Sequence, residues 1–305
     1  MLQEETGHLK YEENLTNAAV LSLATPDKSM GTDTQTFVIE AGRDERHYWR
    51  DLWCYRELLF FLAWRDILVR YKQTVVGIVW AWARPLLTML IFTLVFSRLA
   101  KLPSEGVPYP ILVFSALLPW QFFSSAISGA GDSLICNAAM ISKVYFPRLV
   151  IPASAVIVSF VDFLFSGVLL AGLMAWYEVT PSWRLFTLPL FVLIAVAVAT
   201  GVGLWIAALN VKYRDFRIIV PFAVQLGLYI SPVGFSSSIV PEQWRLLYSL
   251  NPMVGVIDGF RWAILSGSTQ PFWPGLLLAL FLALAILATG IAYFRKTEKN
   301  FADVI

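Results

Sequence analysis

Residues 149–177 read LVIPASAVIVSFVDFLFSGVLLAGLMAWY, and the only charged side chain in this run is Asp162. A bilayer core is about 30 Å thick and a helix rises about 1.5 Å per residue, so about 20 apolar residues cross it. Five more apolar runs flank this one, at 77–97, 109–129, 188–209, 218–234 and 272–294. The sequence therefore predicts an all-α polytopic membrane protein with six transmembrane helices.

The composition supports a membrane protein, with 58% hydrophobic and 14% charged residues. Soluble domains usually carry about 25% charged residues. Residues 1–47 differ from the rest because they are polar and acidic, and we predict a disordered cytosolic tail there. We expect an interfacial helix at 48–73, a permease domain at 74–296 and a cytosolic C-terminal tail at 297–305.

Basic residues near the ends of the six runs predict the orientation. Eleven lysines and arginines fall on the side that includes Arg65, Arg148 and Arg295, and five fall on the other side. Because cytoplasmic loops are enriched in lysine and arginine, both termini are predicted to be cytosolic.

The segment 48–73, YWRDLWCYRELLFFLAWRDILVRYKQ, contains helix-forming residues around a short apolar core, 58–64. That core is too short to cross a bilayer, so a helix lying in the cytosolic interface fits best. The charges are scattered around the helical wheel, and an ordinary cytosolic helix is the alternative.

Residues 235–270 contain two predicted short helices between the fifth and sixth runs. One starts after Pro241, and the other has Asn251 as its cap and Pro252 as its first residue. The second helix carries Asp258 and Arg261 and is too short to span comfortably. We therefore predict two re-entrant or surface helices on the extracytoplasmic side, within 241–266.

Several sequence patterns needed for catalysis are missing. No glycine is followed by lysine, which excludes the phosphate-binding loop of ATPases, and the two histidines, His8 and His47, lie outside the apolar runs. We expect no catalytic residues, no metal site and no cofactor bound by this chain.

Two ionisable residues fall inside predicted spans: Arg84 in the first run and Asp162 in the third. They could form an intramembrane pair or line a polar path. Alternatively, Arg84 extends to the cytosolic headgroups and Asp162 hydrogen-bonds a neighbouring helix. Trp120 and Gln121 in the second run suit either helix packing or the lining of a passage, where the tryptophan could stack on sugar rings.

The cytosolic loop 131–148, GDSLICNAAMISKVYFPR, can form two helical turns at 137–144. A helix that protrudes between two spans could receive a push from a soluble motor, but it could equally be an ordinary loop.

Six strings of the sequence together resemble the permease subunit of ABC transporters that export polysaccharides such as lipopolysaccharide O-antigen. They are ELLFFLAWRDILVRYKQT, PLLTMLIFTLVFSRL, GVPYPILVFSALLPWQFF, ISKVYFPRLVIP, ALNVKYRDFR and SPVGFSSSIVPEQWRLLYSLNPMVGVIDGFRWAIL. The resemblance covers residues 48–296 in order. Arg84 is a departure, since a neutral polar residue such as glutamine is expected there.

The resemblance implies a homodimer of permeases with two separate ATPase subunits, which bind the ATP and Mg. It also implies export of a polysaccharide linked to undecaprenyl pyrophosphate across the bacterial cytoplasmic membrane. The implied site residues form four groups. Coupling to the ATPase falls to Asn137, Ile141, Lys143, Arg148, Arg65 and Asp66, lipid-pyrophosphate entry to Arg70, Lys72 and Arg84, the channel lining to Trp120 and Gln121, and the extracytoplasmic gate to Asn251, Pro252, Asp258, Arg261 and Trp262.

Three alternatives remain at this stage. Exporters of teichoic acid or capsular polysaccharide are similar at the level of sequence. An ion-coupled secondary transporter would show internal repeats and broken helices in corresponding positions, and neither is visible. A membrane-bound lipid-sugar enzyme would need carboxylate and histidine constellations that the chain lacks.

Overall fold

The computed structural model describes residues 45–72, 75–104, 106–213, 215–265, 271–299 and 301, with the side chains of 45–47 and 75–81 left out. Within these residues the regular structure is entirely helical, which confirms the predicted all-α class. The helices are α1 Glu45–Cys54, α2 Arg56–Lys72, α3 Val75–Phe92, α4 Tyr109–Cys136, α5 Ala138–Ile141, α6 Val150–Trp176, α7 Leu188–Lys212, α8 Phe216–Ile230, α9 Glu242–Tyr248, α10 Pro252–Ile264 and α11 Trp273–Glu298. A π-helical segment, Thr93–Leu99, continues α3, and a 3₁₀ turn, Trp183–Thr187, precedes α7.

Five helices in the described part of the chain are long and apolar enough to cross a bilayer: Trp82–Leu99, Tyr109–Cys136, Val150–Trp176, Trp183–Lys212 and Trp273–Glu298. They coincide with five of the six predicted runs. The remaining run forms α8, which has 15 residues and is about 22 Å long at 1.5 Å per residue. It ends before Pro232, whose ring disfavours helix at Ser231, and the buried residues 231–234 turn back into the bundle.

The predicted interfacial segment contains two helices, because the chain makes a turn at Tyr55 between α1 and α2. The expected tail 1–47 lies outside the described residues except at its end, where α1 begins at Glu45. Helix α2 is apolar on two faces. Leu62 and Ala63 are 2% exposed, whereas Phe61 and Trp64 are 66% and 61% exposed. One face packs along α6 and the other faces outward, which explains why its amphipathic pattern is weak.

Helix α4 lies at the centre of the bundle, and every residue from 111 to 120 is buried. It packs against α6 and α7, and α10 contacts α4, α7 and α11. A large apolar core surrounds these helices and includes Phe114, Phe191, Ile257 and Phe260. Helix α10 is therefore embedded in the bundle, while no residue of α9 is buried.

Helices α7 and α11 approach each other very closely at two glycines, Gly201 and Gly290. A Cβ atom on Gly201 would lie 2.7 Å from the backbone of Ile286 and Leu287. Real Cβ atoms do not come so close to backbone, so only glycine permits this crossing. Small residues are the usual means of close helix contact in membranes.

The two ends of the bundle differ in charge. A second apolar core, which includes Leu62, Ile141, Phe146 and Phe294, joins α2, the α4–α6 connection and the C-terminal end of α11. We call this the basic end, because Arg65, Arg148, Arg217 and Arg295 lie around it. The opposite end contains α9, α10 and the N-terminal ends of α4, α7 and α11.

Candidate functional site

The connection 137–148 lies at the basic end and contains α5. This helix has four residues, so it is shorter than the two turns predicted for 137–144. Asn137 separates it from α4: its side-chain amide donates to the carbonyl oxygen of Ser133 at 2.8 Å. Asparagine side chains often compete in this way with the backbone bonds of a helix. The chain therefore changes direction at Asn137.

The connection contains an exposed tip, residues 142–145, which lies between two buried anchors. Ile141 is 6% exposed and Phe146 is 4% exposed, while Lys143 is exposed and Val144 and Tyr145 are 56% and 72% exposed. A contact made on this tip would be transmitted directly to the bundle through the anchors. Ile141 is thus placed to support the tip, and Lys143 is placed on its surface.

Arg65 and Asp66 lie beside this connection. Their side chains form an ion pair at 2.8 Å, with 41% and 37% of each side chain exposed. The guanidinium of Arg65 also donates to the side-chain oxygen of Asn137 at 3.2 Å. An exposed ion pair contributes little stability, about 0–1 kcal/mol. The main structural effect is that α2 is held against the base of the connection.

Arg148 contacts the C-terminal end of α11. Its backbone N–H donates to Oε1 of Glu298 at 2.7 Å, and its guanidinium donates to the carbonyl oxygen of Glu298. The hydroxyl of Tyr48 donates to Oε2 of Glu298 at 3.0 Å. Burial and the neighbouring carboxylate raise the pKa of Tyr48, which keeps the hydroxyl protonated as a donor. Both the backbone and the side chain of Arg148 are therefore held by contacts within the chain.

Arg70 is paired with Asp162. Its guanidinium and the hydroxyl of Tyr71 both donate to the Asp162 carboxylate. Asp162 lies 12 residues after the start of α6, so the C-terminal end of α2 reaches about 18 Å along that helix. The possible pair of Asp162 with Arg84 is not the one found, because the counter-charge comes from α2.

The other two cations of the predicted lipid-pyrophosphate entry, Lys72 and Arg84, are exposed. Lys72 ends α2, two residues after Arg70. The side chain of Thr88 donates to the backbone carbonyl oxygen of Arg84 at 2.9 Å, and this bond does not involve the Arg84 guanidinium. Lys72 and Arg84 can therefore be reached from outside the subunit.

Trp120 is 5% exposed, and its ring lies against α8. A Cβ atom on Gly227 would be 2.7 Å from the indole, and the ring centroid of Phe123 lies 5.4 Å away. Its neighbour Gln121 is half-buried. Within one subunit Trp120 has a packing role, and its predicted role in a passage stays a prediction.

The predicted cap of α10 is confirmed. The side-chain oxygen of Asn251 accepts a hydrogen bond from the N–H of Met253 at 3.1 Å, and Pro252 is the first helical residue. The Asn251 amide also donates to the hydroxyl of Ser231 at 2.9 Å. One residue therefore caps α10 and joins it to the end of α8.

Arg261 is 1% exposed and bonds to three backbone carbonyl oxygens. These belong to Leu112 at 3.2 Å, Phe235 at 2.7 Å and Val233 at 3.0 Å. A buried charge is costly unless it is fully hydrogen-bonded, and the planar guanidinium can bond to several acceptors at once. Arg261 therefore joins α10 to α4 and to the segment after α8.

In sequence, Asp258 lies three residues before Arg261 and Trp262 follows it directly. Asp258 lines a small cavity between α10 and the N-terminal end of α11. The ring of Trp262 is 5.9 Å from that of Trp273, and the guanidinium of Arg184 is 5.1 Å above it. The five predicted gate residues thus fall on one helix and its cap.

The described residues contain no group of three or more His, Cys, Asp or Glu side chains that could hold a metal ion. The arrangement consists instead of cations and hydrogen-bonded junctions at the two ends of an apolar bundle. Such a site can bind anionic groups and transmit movement between segments.

Comparison with known protein families gives a match over most of the bundle. The profile of the ABC-2 type transporter family matches residues 57–265, which is more than half of the chain. The chain belongs to the ABC-2 type transporter family.

Relatives of this chain align with it over most of its length and over nearly all of their own. The O-antigen export system permease protein RfbA of Myxococcus xanthus is 29% identical, over 84% of this chain and 98% of its own. RfbA of Klebsiella pneumoniae is 28% identical, over 82% of this chain and 95% of its own. The polysialic acid transport protein KpsM of Escherichia coli is 22% identical, over 77% of this chain and 91% of its own.

The sequence does not predict the contacts that Glu298 makes with Tyr48 and Arg148. The sequence places Glu298 only in the predicted C-terminal tail, and no local pattern links it to Arg148, which is 150 residues away. An acidic residue among the basic residues that follow the last span was the one available signal. Such a residue has a choice of cationic partners, and the sequence does not indicate which one it contacts.

Proposed function

We propose that this chain is the membrane permease of an ATP-driven exporter. It moves a polysaccharide linked to undecaprenyl pyrophosphate, such as O-antigen, out across the bacterial cytoplasmic membrane. The observation that carries this proposal is the near full-length match to two permeases named for O-antigen export. The chain is a transport subunit, and a separate ATPase binds and hydrolyses MgATP.

In this proposal two copies of the chain pair, and two ATPase subunits dock at the basic end. Docking there is supported by the exposed tip 142–145, since it projects between buried anchors. Arg65 and Asp66 extend the docking surface, because their side chains are partly exposed and lie beside Asn137. ATP-driven closure of the partner subunits would push this surface and change the packing of the spans.

The lipid pyrophosphate enters beside α2. Cationic donors suit a pyrophosphate group, and Lys72 and Arg84 are both exposed. The Asp162 carboxylate occupies Arg70 in this structure, so an arriving pyrophosphate would compete with it. Trp120 and Gln121 line the passage once α8 moves away from Trp120.

In this proposal, α8 together with the residues that follow it forms the fifth of six spans, and both termini are cytosolic. The embedded position of α10 supports a re-entrant helix that forms the outer gate. The arginines at the basic end, including Arg148 and Arg295, support this orientation by the positive-inside rule.

An exporter of capsular polysaccharide is the second candidate. The KpsM protein of Escherichia coli and the capsule polysaccharide export inner-membrane protein CtrC of Neisseria meningitidis also match, at 22% and 24% identity. Their lower identity favours O-antigen as the first cargo to test. A teichoic acid exporter would use the same architecture.

The proposal is tested by deleting the gene in its host and restoring it on a plasmid. The expected result is loss of the surface glycan with accumulation of the lipid-linked glycan inside the cell, both reversed by the plasmid. Affinity-tagged chain should also retain an ABC ATPase during purification. Normal surface glycan in the deletion strain would contradict the proposal.

A further inference from the structure

The last residue of α11, Glu298, joins three segments that are far apart in sequence. Its Oε1 accepts the backbone N–H of Arg148 at 2.7 Å and its Oε2 accepts the hydroxyl of Tyr48 at 3.0 Å. Its own carbonyl oxygen accepts from the Arg148 guanidinium. One carboxylate thus holds the connection 137–148 and α1 against the C-terminal end of α11.

Glu298 binds the chain just before α6 begins. The N-cap residue of α6, Leu149, makes no side-chain capping bond, and Arg148 directly precedes it. The first two N–H groups of α6 already have backbone acceptors, because Val150 donates to the carbonyl oxygen of Pro147 and Ile151 donates to that of Arg148. The Glu298 carboxylate therefore does not cap α6, but it fixes the residue at which the connection 137–148 meets that helix.

Apolar and aromatic groups enclose the junction. The guanidinium of Arg295 lies 4.6 Å above the Tyr48 ring, and that of Arg148 lies 5.9 Å from the Phe301 ring. Phe301 is 1% exposed and Phe294 is fully buried. Hydrogen bonds in such surroundings are electrostatically stronger than in water. The junction therefore holds its three segments as one unit.

We propose that Glu298 is a positioning residue for coupling to the ATPase. It fixes the connection 137–148 to α11, so that a push on the exposed tip moves α6 and α11 together. This inference rests on the proposed function, because it requires an ATPase that docks on the tip. Without Glu298 the tip would still accept the ATPase, but its displacement would be absorbed in the connection and would not reach the spans.

The test uses the complete complex with its ATPase in proteoliposomes, with lipid-linked glycan extracted from the host strain as the probe. The readout is glycan translocated per ATP hydrolysed. For Glu298→Ala we expect ATP hydrolysis to stay within twofold of wild type and this ratio to fall at least fivefold. The matched control is Glu57→Ala, which removes an exposed glutamate at the first turn of α2, and its ratio should not change.

Two gentler variants keep the test decisive if Glu298→Ala does not assemble. Glu298→Asp keeps the charge but shortens the reach by one carbon–carbon bond, about 1.5 Å, so the ratio should fall. Glu298→Gln loses the charge but keeps an oxygen for the Arg148 N–H, so most of the ratio should remain. The opposite order would overturn the proposal, because charge and not position would then matter.

Two further outcomes would also overturn it. One is an unchanged ratio in Glu298→Ala. The other is an equal loss of ATP hydrolysis and transport, which would show that Glu298 only stabilises the fold. Failure of the proposed function is distinguishable, since the wild-type complex itself would then show no ATP-dependent translocation.

Discussion

Replacing Arg261 by methionine should destabilise the opposite end of the bundle strongly. The side chain is 1% exposed and donates to the carbonyl oxygens of Leu112, Val233 and Phe235. Leu112 would keep a side-chain partner, because the hydroxyl of Ser115 also donates to its carbonyl oxygen at 3.0 Å. The other two carbonyls lose the guanidinium at about 1–3 kcal/mol each, so the expected loss is roughly 2–6 kcal/mol.

Arg245 provides the control. Its guanidinium donates to the carbonyl oxygens of Val240 at 3.1 Å and Ser238 at 3.3 Å, within one short segment, and its side chain is partly exposed. Arg245→Met should cost about 1 kcal/mol or less. Arg261→Lys should fall between the two arginine-to-methionine variants, since an ammonium lacks the planar fork that bonds to separate acceptors.

The assay is unfolding of the purified chain in mixed micelles, titrated with a denaturing detergent and followed by tryptophan fluorescence. Arg261→Met should shift the midpoint well below that of wild type and of Arg245→Met. Equal midpoints for the two variants would refute the claim that the three carbonyl bonds join α10 to its neighbours.

Other changes test the remaining contacts. Gly201→Ala should lower the free energy of unfolding by about 1–3 kcal/mol, because it overpacks the α7–α11 crossing. Gly172→Ala on α6 should not lower it, because no atom lies within 4 Å of the added Cβ. Thermal unfolding in detergent compares the two variants, and equal melting temperatures would contradict the close crossing. Asp162→Asn should release Arg70 and increase binding of undecaprenyl phosphate in nanodiscs about threefold, or roughly 0.7 kcal/mol. Arg70→Ala should abolish that gain, and a gain that persisted would exclude competition. Tyr145→Ala should reduce retention of the ATPase in pull-downs about fivefold or more, as expected for an exposed aromatic contact, and full retention would place docking elsewhere.

The sequence predicted the elements that depend on local composition. The helix α4 begins at Tyr109, the residue at which its apolar run begins, and α10 begins at the predicted Asn251 cap. Both depend on local signals, namely an apolar run bounded by polar residues and an Asn-Pro pair. The apolar composition of the run 218–234 does not show that α8 ends early, and Pro232 is the local signal for that end, since it disfavours helix at Ser231.

Long-range contacts were beyond the sequence. Arg70 and Arg84 were both available to Asp162, and only the packing of α2 along α6 selects Arg70. Helices that are apolar on every face have no periodicity to show which face meets which neighbour. The partners of Arg261 are backbone carbonyls, which carry no residue-specific signal at all.

We propose that this chain is the passage and that a separate ATPase drives it. The most direct measurement reconstitutes the chain in proteoliposomes, with and without the ATPase that co-purifies with it, and follows the lipid-linked glycan and ATP together. We predict glycan translocation only when both proteins and ATP are present, and no ATP hydrolysis by this chain alone. Translocation without the ATPase, or ATP hydrolysis by the isolated chain, would contradict the account.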